Sequence, residues 1–421
     1  MPGSQFEVVV IGGGAAGIAA ARHLHDHHID VLLLEARSRL GGRAYTVRAQ
    51  GFPIDLGCGW LHSADRNEWR AIAELQGFSV DKSPPPWSRP WVGFPSSDEA
   101  AFRRAMASFF ARLDGFHEEK ADIPAAEFLE AEGSWHPLMN ALSTYISGAE
   151  LDKLSARDLA RYDDTGVNWR IMEGYGAVIV AHAAPVPVRL GCAVRKIDLN
   201  GADLDIETDA GNLKAQAAIV TLPSDLLAEE RLRIYPELPR KIEAAAALPL
   251  GLADKLYCAL SEPSELEPDS RTYGKIDSSE TAAYHFRPLG RPMIEAYFAG
   301  TLARELEKEG ESAFHDFAAG ELSRLFGASF VRRISPLALH LWGQDPHARG
   351  SYSYARPGKA DARAELAAPV DDRLFFAGEA CSREAFSTAH GAYRTGIAAA
   401  KQAVHALKRR ASKRIAQALP E

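Results

Sequence analysis

Apolar positions open the chain as an unbroken β-branched run, Val8-Val9-Val10-Ile11, which predicts a strand buried on both faces. Gly12-Gly13-Gly14-Ala15-Ala16-Gly17 follows, then an alanine-rich stretch to His28 that predicts a helix. A second apolar run over residues 30–34 ends on Glu35. Strand, glycine turn, helix and strand together make one βαβ unit. Residues 68–161 read as helical, with a proline-rich interruption at 83–95 that holds Trp87 and Trp91. The pattern then turns to strands at 194–199, 204–208, 217–221, 248–260 and 293–298. A helix is expected over 303–326, a last buried strand over 373–377, and a closing helix over 391–407.

The 421 residues are 46% apolar and 25% charged, an ordinary globular composition with room for two or three domains. A net charge of −8 argues against nucleic acid as the main partner, because phosphate binding needs a concentrated basic face. The four cysteines, Cys58, Cys192, Cys258 and Cys381, form no CxxC pair, which disfavours a disulfide framework or a thiolate metal site and fits a reducing cytoplasm. No run is long and apolar enough for a membrane span. The helical histidines His23, His25, His27 and His28 are expected to be a surface face, with no metal site anywhere in the chain. Lys408-Arg409-Arg410 and Lys413-Arg414 are expected to be a solvated helix end, favoured by the helix dipole. The proline-rich stretch predicts a stiff surface connection, or alternatively the lip of a substrate channel.

Gly12, Gly14 and Gly17 form GxGxxG between a buried strand and a helix. Such a loop turns tightly, approaches a pyrophosphate and aims a helix N-terminus at it. Glu35, at the end of the second strand, is placed to bind the ribose hydroxyls of an adenosine and disfavours a 2′-phosphate. An adenine dinucleotide is therefore expected. Glu35-Ala36-Arg37 runs into Leu40-Gly41-Gly42-Arg43, extending the phosphate contact beyond what a simple NAD site uses.

This stretch resembles the flavin amine oxidase superfamily, and four more resemble it in the same order. Asp55-Leu56-Gly57-Cys58-Gly59-Trp60-Leu61-His62 is similar to the segment beside the flavin ring. Val194 is similar to the valine whose backbone holds adenine. Trp342 with Ala348-Arg349-Gly350-Ser351-Tyr352-Ser353-Tyr354 resembles a third signature. Phe376-Ala377-Gly378-Glu379-Ala380 and Ser387-Thr388-Ala389-His390-Gly391-Ala392 resemble the C-terminal pair.

The resemblance implies an α/β fold: a discontinuous Rossmann-like FAD-binding domain (1–65, 170–245 and 345–421) with an inserted α+β substrate-binding domain (66–169 and 246–344). It implies FAD held by Gly12, Gly14, Ala15, Ala16 and Gly17, by Glu35, Ala36, Arg37, Gly42 and Arg43, and by Gly59, Trp60, Val194, Trp342, Gly378, Glu379, Thr388 and Ala389. Lys255, in Leu252-Ala253-Asp254-Lys255-Leu256, matches the setting of a lysine water-bridged to flavin N5, and burial in an apolar strand would lower its pKa. His62, Trp342, Tyr352 and Thr388 are the other candidates at the reacting end. Tyr352 fills one position of the monoamine-oxidase aromatic pair and Thr388 the other, so the resemblance leans toward polyamine oxidases. Ser351 stands where monoamine oxidases carry their flavin-linking cysteine, so the FAD is expected to be non-covalent.

The expected reaction is hydride transfer from the carbon bearing an amine nitrogen to flavin N5, with O₂ giving imine, aldehyde and H₂O₂. Asp163, Asp164 and Glu173 are candidate contacts for a polyamine. An amino-acid oxidase would instead need an arginine for the carboxylate, for which Arg66, Arg70 and Arg89 are available. A flavin desaturase or isomerase acting on a C–C bond, and a protein whose FAD only stabilises the fold, are the remaining alternatives.

Overall fold

The opening apolar run lacks alternation because both of its faces are covered. In a computed structural model describing residues 5–116 and 119–418, with side chains as far as 412, Gln5–Ile11 is a central strand of an eight-stranded sheet. It pairs in parallel with Val31–Leu34 on one side and Gly211–Val220 on the other. Val8, Val10, Leu33 and Ile219 pack on one face, and Val9, Ile11, Leu32 and Val220 on the other. The strand Gly211–Val220 is long enough to take two neighbours along one edge. Its first half pairs antiparallel with Leu204–Thr208, and its second half pairs in parallel with Leu374–Phe376.

Helix Ala15–Asp26 leaves the glycine loop and packs on helix Ala389–Ala418 through alanine-rich faces, Ala16 and Ala20 among them on one side and Ala392, Ala399 and Ala403 on the other. Arg409 pairs with Asp372 at 2.7 Å and Arg410 donates to the Gln216 carbonyl at 2.7 Å, so part of the basic run is tied to the body. The side chains of Lys413 and Arg414 lie outside the described residues. No described helix is long and apolar enough to cross a membrane.

The second sheet has five antiparallel strands, in the order Ser270–Tyr273, Ala283–Phe286, Met293–Ala299, Ala253–Leu260 and Ile334–Leu339. One face carries Leu256, Cys258, Ile294, Ala296 and Phe298, which pack under Phe314 and Leu322. The expected helix over 303–326 is two helices, Gly300–Glu309 and Glu311–Phe326. Gly310 breaks it at φ 100° and ψ 176°, a conformation the L residues rarely adopt. The helical reading of 68–161 resolves into separate helices, with Ser96–Asp114 and His136–Ser147 the longest.

In the proline-rich segment Trp91 is buried against Phe102 and Tyr273, whereas Trp87 is 38% exposed and meets Trp60 edge-on at 4.5 Å. The His23 and His27 rings meet at a tilt, centroids 4.1 Å apart, on the outer side of the helix.

Candidate active site

A cavity of about 1280 Å³ runs from the glycine loop of the large sheet to the polar face of the five-stranded sheet. That exceeds the roughly 300–1,000 Å³ of an ordinary small-molecule pocket. At the nucleotide end it is lined by Gly12, Gly14, Ala15, Ala16, Glu35 and Ala36. Arg37, Gly42, Arg43 and Val194 continue that wall, and Gly378, Glu379, Thr388 and Ala389 close it from the C-terminal side. Gly59, Trp60, His62, Lys255, Trp342 and Tyr352 line the far end.

Among the residues expected to hold the cofactor, Gly17 alone does not line the cavity. A Cβ there would stand 1.8 Å from the Gly12 carbonyl oxygen, so its lack of a side chain lets the helix approach the loop beneath the ligand wall. Gly17→Ala forces backbone apart at the loop and is expected to cut FAD retention at least tenfold, read as flavin per chain after gel filtration.

The polar groups at the nucleotide end are oriented by one another. Glu35 accepts from the Gly13 N–H at 2.7 Å and the Arg37 N–H at 2.8 Å, and Arg37 pairs with Asp345 at 2.6 Å. Arg43 donates to Glu379 and to the Ser351 carbonyl, each at 2.9 Å. Burial pushes the Glu379 carboxyl up, but Arg43, Ser353 and Arg363 outweigh it and hold the group below its ordinary value. Thr388 donates to the Ala385 carbonyl at 2.7 Å and accepts from the Gly391 N–H at 3.0 Å, which caps the long C-terminal helix where its N-terminus meets the cavity.

These features fit an adenine dinucleotide carrying a flavin. A buried acid, Glu35, stands at the end of the second strand beside the glycine loop, and two helix N-termini open on the cavity, each offering unsatisfied N–H groups and a positive dipole end. Gly378 faces space in which a Cβ would meet nothing within 4 Å.

At the far end, strand alternation puts Lys255 and Tyr257 on the cavity side, opposite Tyr297 and Glu295 of the next strand. Lys255 Nζ lies 3.0 Å from Glu295 Oε1 and donates to the Asp55 carbonyl at 3.3 Å. Burial pulls the Lys255 ammonium down as expected, but Glu295, Tyr257, Tyr297 and Asp55 more than reverse it, and the pKa lies well above the ordinary lysine value. The expected lowering is thus corrected: the sequence shows the apolar strand but not the acid beside it.

His62 Nδ1 bonds to Asn168 Oδ1 at 2.6 Å, and burial holds the imidazole below its usual pKa. Burial takes its neighbour His390 down to about 3. Trp342 is buried, its indole N–H donating to the Leu56 carbonyl at 3.0 Å. Tyr352 donates to the Tyr145 carbonyl at 2.6 Å and lies 3.4 Å from the Tyr297 hydroxyl. Tyr145, Tyr273 and Tyr297 complete an aromatic wall that the sequence reading missed. Period-2 spacing of Tyr297 with Glu295 was the available signal.

Of the three candidate carboxylates only Asp164 lines the cavity. Asp163 pairs with Arg66 at 2.6 Å and Glu173 accepts from the Ser79 N–H at 2.9 Å, both away from it. Asp114, from helix Ser96–Asp114, is a lining acid the sequence did not single out. Arg66, Arg70 and Arg89 also lie off the cavity, Arg70 paired with Glu74 and Arg89 with the Pro268 carbonyl. Pro86 and Trp87 do reach it, so the proline-rich segment forms part of the cavity edge as well as a surface connection.

The family model of flavin containing amine oxidoreductases matches residues 15–404. The chain belongs to this family. A flavin amine oxidoreductase of similar sequence, polyamine oxidase 4 of Oryza sativa subsp. japonica, is 30% identical over 95% of this chain and 88% of its own length. Polyamine oxidase 2 of Arabidopsis thaliana is 29% identical over 94% of this chain and 87% of its own. Lysine-specific histone demethylase 1 homolog 2 of Arabidopsis thaliana is 29% identical over 96% of this chain but 59% of its own length. In fold, the amine oxidoreductase is similar to putrescine oxidase solved with putrescine bound, at TM-score 0.76 and 17% identity, over 96% of this chain and all of that one. The chain is therefore an FAD-dependent oxidoreductase acting on C–N bonds.

Proposed function

We propose that the protein oxidises a polyamine or a related primary or secondary amine, passing two electrons to O₂ to give H₂O₂ and an imine, which water hydrolyses to an aldehyde and the freed amine or ammonia. The observation that carries this reading is one continuous cavity joining the GxGxxG loop to Lys255, His62, Trp342 and Tyr352. Bound FAD supplies the hydride acceptor, and this chain's residues do the rest.

Glu35 and Val194 would hold the adenosine, with the glycine loop, Arg37, Gly42 and Arg43 at the phosphates. Glu379 and the Ala389 end of the capped helix would hold the remainder, where the helix dipole favours negative charge. The tyrosine wall and Trp60 offer faces to a cationic chain and cover for its methylenes. Asp164 and Asp114 are the acids placed to meet a second ammonium. Lys255 offers a positive charge at the cavity wall, with one N–H donor beyond those engaged by Glu295 and the Asp55 carbonyl. His62, held neutral and anchored by Asn168, would orient the amine. The four cysteines are free, which supports a reducing compartment such as the cytoplasm.

Anaerobic mixing with putrescine, spermidine, spermine and simple alkylamines tests the reading. Flavin bleaching with amines, then H₂O₂ on admitting air, is expected; a flavin that stays oxidised with every amine overturns it. Ser351 bears on cofactor attachment. Its hydroxyl donates to the Ala253 carbonyl at 2.8 Å and accepts from the Ala253 N–H at 2.9 Å, and it offers no thiolate. Acid precipitation should leave the FAD in the supernatant, and yellow precipitate would contradict a non-covalent cofactor.

A further inference from the structure

Lys255 begins a chain of buried polar groups, of which Glu295 and His285 also line the cavity wall. Glu295 Oε1 lies 3.0 Å from Lys255 Nζ, and the Tyr257 hydroxyl donates to the same oxygen at 3.1 Å. Glu295 Oε2 faces His285 Nδ1 at 3.4 Å, and His285 Nε2 faces Asp269 Oδ1 at 2.9 Å. Arg170 clasps Asp269 at 2.6 and 3.1 Å and reaches Asp81 at 2.7 Å.

The side chains from Lys255 to Arg170 are each 12% exposed or less. The backbone is bent to serve the chain as well. Asp269 sits at φ 57° and Leu289 at φ 57°, and the Leu289 N–H donates to Asp269 Oδ1 at 3.0 Å. A left-handed conformation costs a non-glycine residue energy, so contacts must hold it there.

We propose that Glu295 is the positioning residue for Lys255: it fixes the side chain at the cavity wall and keeps it an ammonium, while His285 and Asp269 hold Glu295 in place. Every packed element contributes to the surroundings of Lys255. Tyr257 faces it from its own strand, Glu295 and Tyr297 from the next, and Asp55 from the segment Phe52–Asp55, with Cys58 and His62 beyond. Glu295 is the carboxylate in direct contact with the ammonium. Without it, burial is opposed only by Tyr257, Tyr297 and Asp55 and drives the lysine toward the neutral amine. The carboxylate itself is held well below its ordinary pKa: burial pushes it up, and Lys255 and His285 prevail.

The inference gains its catalytic meaning from the amine-oxidase reading, yet its test does not depend on turnover. Lysine-selective ¹⁵N NMR on the FAD-loaded protein, with Lys255→Met assigning the signal, reports the charge of Nζ directly. Wild-type Lys255 should remain an ammonium past the titration of surface lysines near pH 10.4. In Glu295→Gln it should turn into the amine at least about two pH units lower. Glu295→Asp, which keeps the charge, should restore the ammonium.

Amine oxidation in Glu295→Gln should acquire a kcat limb at the same shifted pH, with KM less affected. A wild-type Lys255 that titrates with the surface lysines or below them overturns the proposal, even if Glu295→Gln does not fold. A Glu295→Gln protein whose Lys255 titrates as in wild type overturns it equally. Failure of every amine to reduce the flavin would instead count against the amine-oxidase reading and leave the NMR result standing.

Discussion

Replacing Lys255 with methionine is expected to slow flavin reduction by amine, reoxidation by O₂, or both, by roughly 10- to 10⁴-fold, and to weaken the fold as well. Sequence alone suggests that fold and FAD survive the swap even as the rates fall, since methionine fills similar volume without a polar head. The structure changes that expectation, because methionine would strand Glu295 between Tyr257 and His285 with its cationic partner gone. Removing one member of a buried ion pair typically costs about 3–5 kcal/mol. The double variant Lys255→Met with Glu295→Gln removes both charges and should regain most of that stability while the rates stay low. Urea melts and stopped-flow measurement of the two half-reactions separate the effects. Parental rates in the double variant would show that Lys255 has no part in the chemistry.

The largest loss of stability is expected from Arg363→Met. Arg363 and Asp158 pair at 2.7 Å with their side chains 0% and 3% exposed, and the second guanidinium contact to Asp158 is 2.8 Å. The remaining donors reach Ser353 Oγ at 2.9 Å and the Ala380 carbonyl at 3.2 Å, and the guanidinium lies 4.0 Å over the Phe386 ring. Truncation leaves a buried carboxylate without its cation, again about 3–5 kcal/mol. It also loosens Ser353, which donates to Glu379 at 2.7 Å, so FAD retention should fall together with the urea midpoint. Arg363→Met with Asp158→Leu should recover stability but not the cofactor. An unchanged midpoint in the single variant would rule out an energetic role for the pair.

What the sequence disclosed depended on how local each feature is. The glycine loop, Glu35 and Arg43 are readable because backbone approach and phosphate chemistry restrict residue type at fixed spacing. The strands 8–11 and 217–220 are readable because burial on both faces demands apolar residues without alternation. Lys255 is visible as a charge in an apolar strand, but its pKa depends on Glu295, 40 residues away and brought beside it only by antiparallel register. The tyrosine wall is assembled from three separate segments for the same reason. The break at Gly310 was hidden by helical spacing that continues on both sides. Asp163 and Glu173 are engaged by Arg66 and by the Ser79 N–H on other elements, which composition cannot reveal.

The pairing of the central strand Gln5–Ile11 with Gly211–Val220, and of that strand with Leu374–Phe376, also sets the order of events on the ribosome. Arg43 meets Glu379 across 336 residues of chain. At about 5–20 residues per second that separation is roughly 17–67 s of synthesis. The glycine loop therefore emerges early and waits beside an unfinished sheet, with Gly378, Glu379, Thr388 and Ala389 of the cavity wall still untranslated. Flavin capture becomes a late step of biosynthesis, and a ribosome stalled before residue 374 would hold a chain with an open apolar strand edge, prone to aggregate.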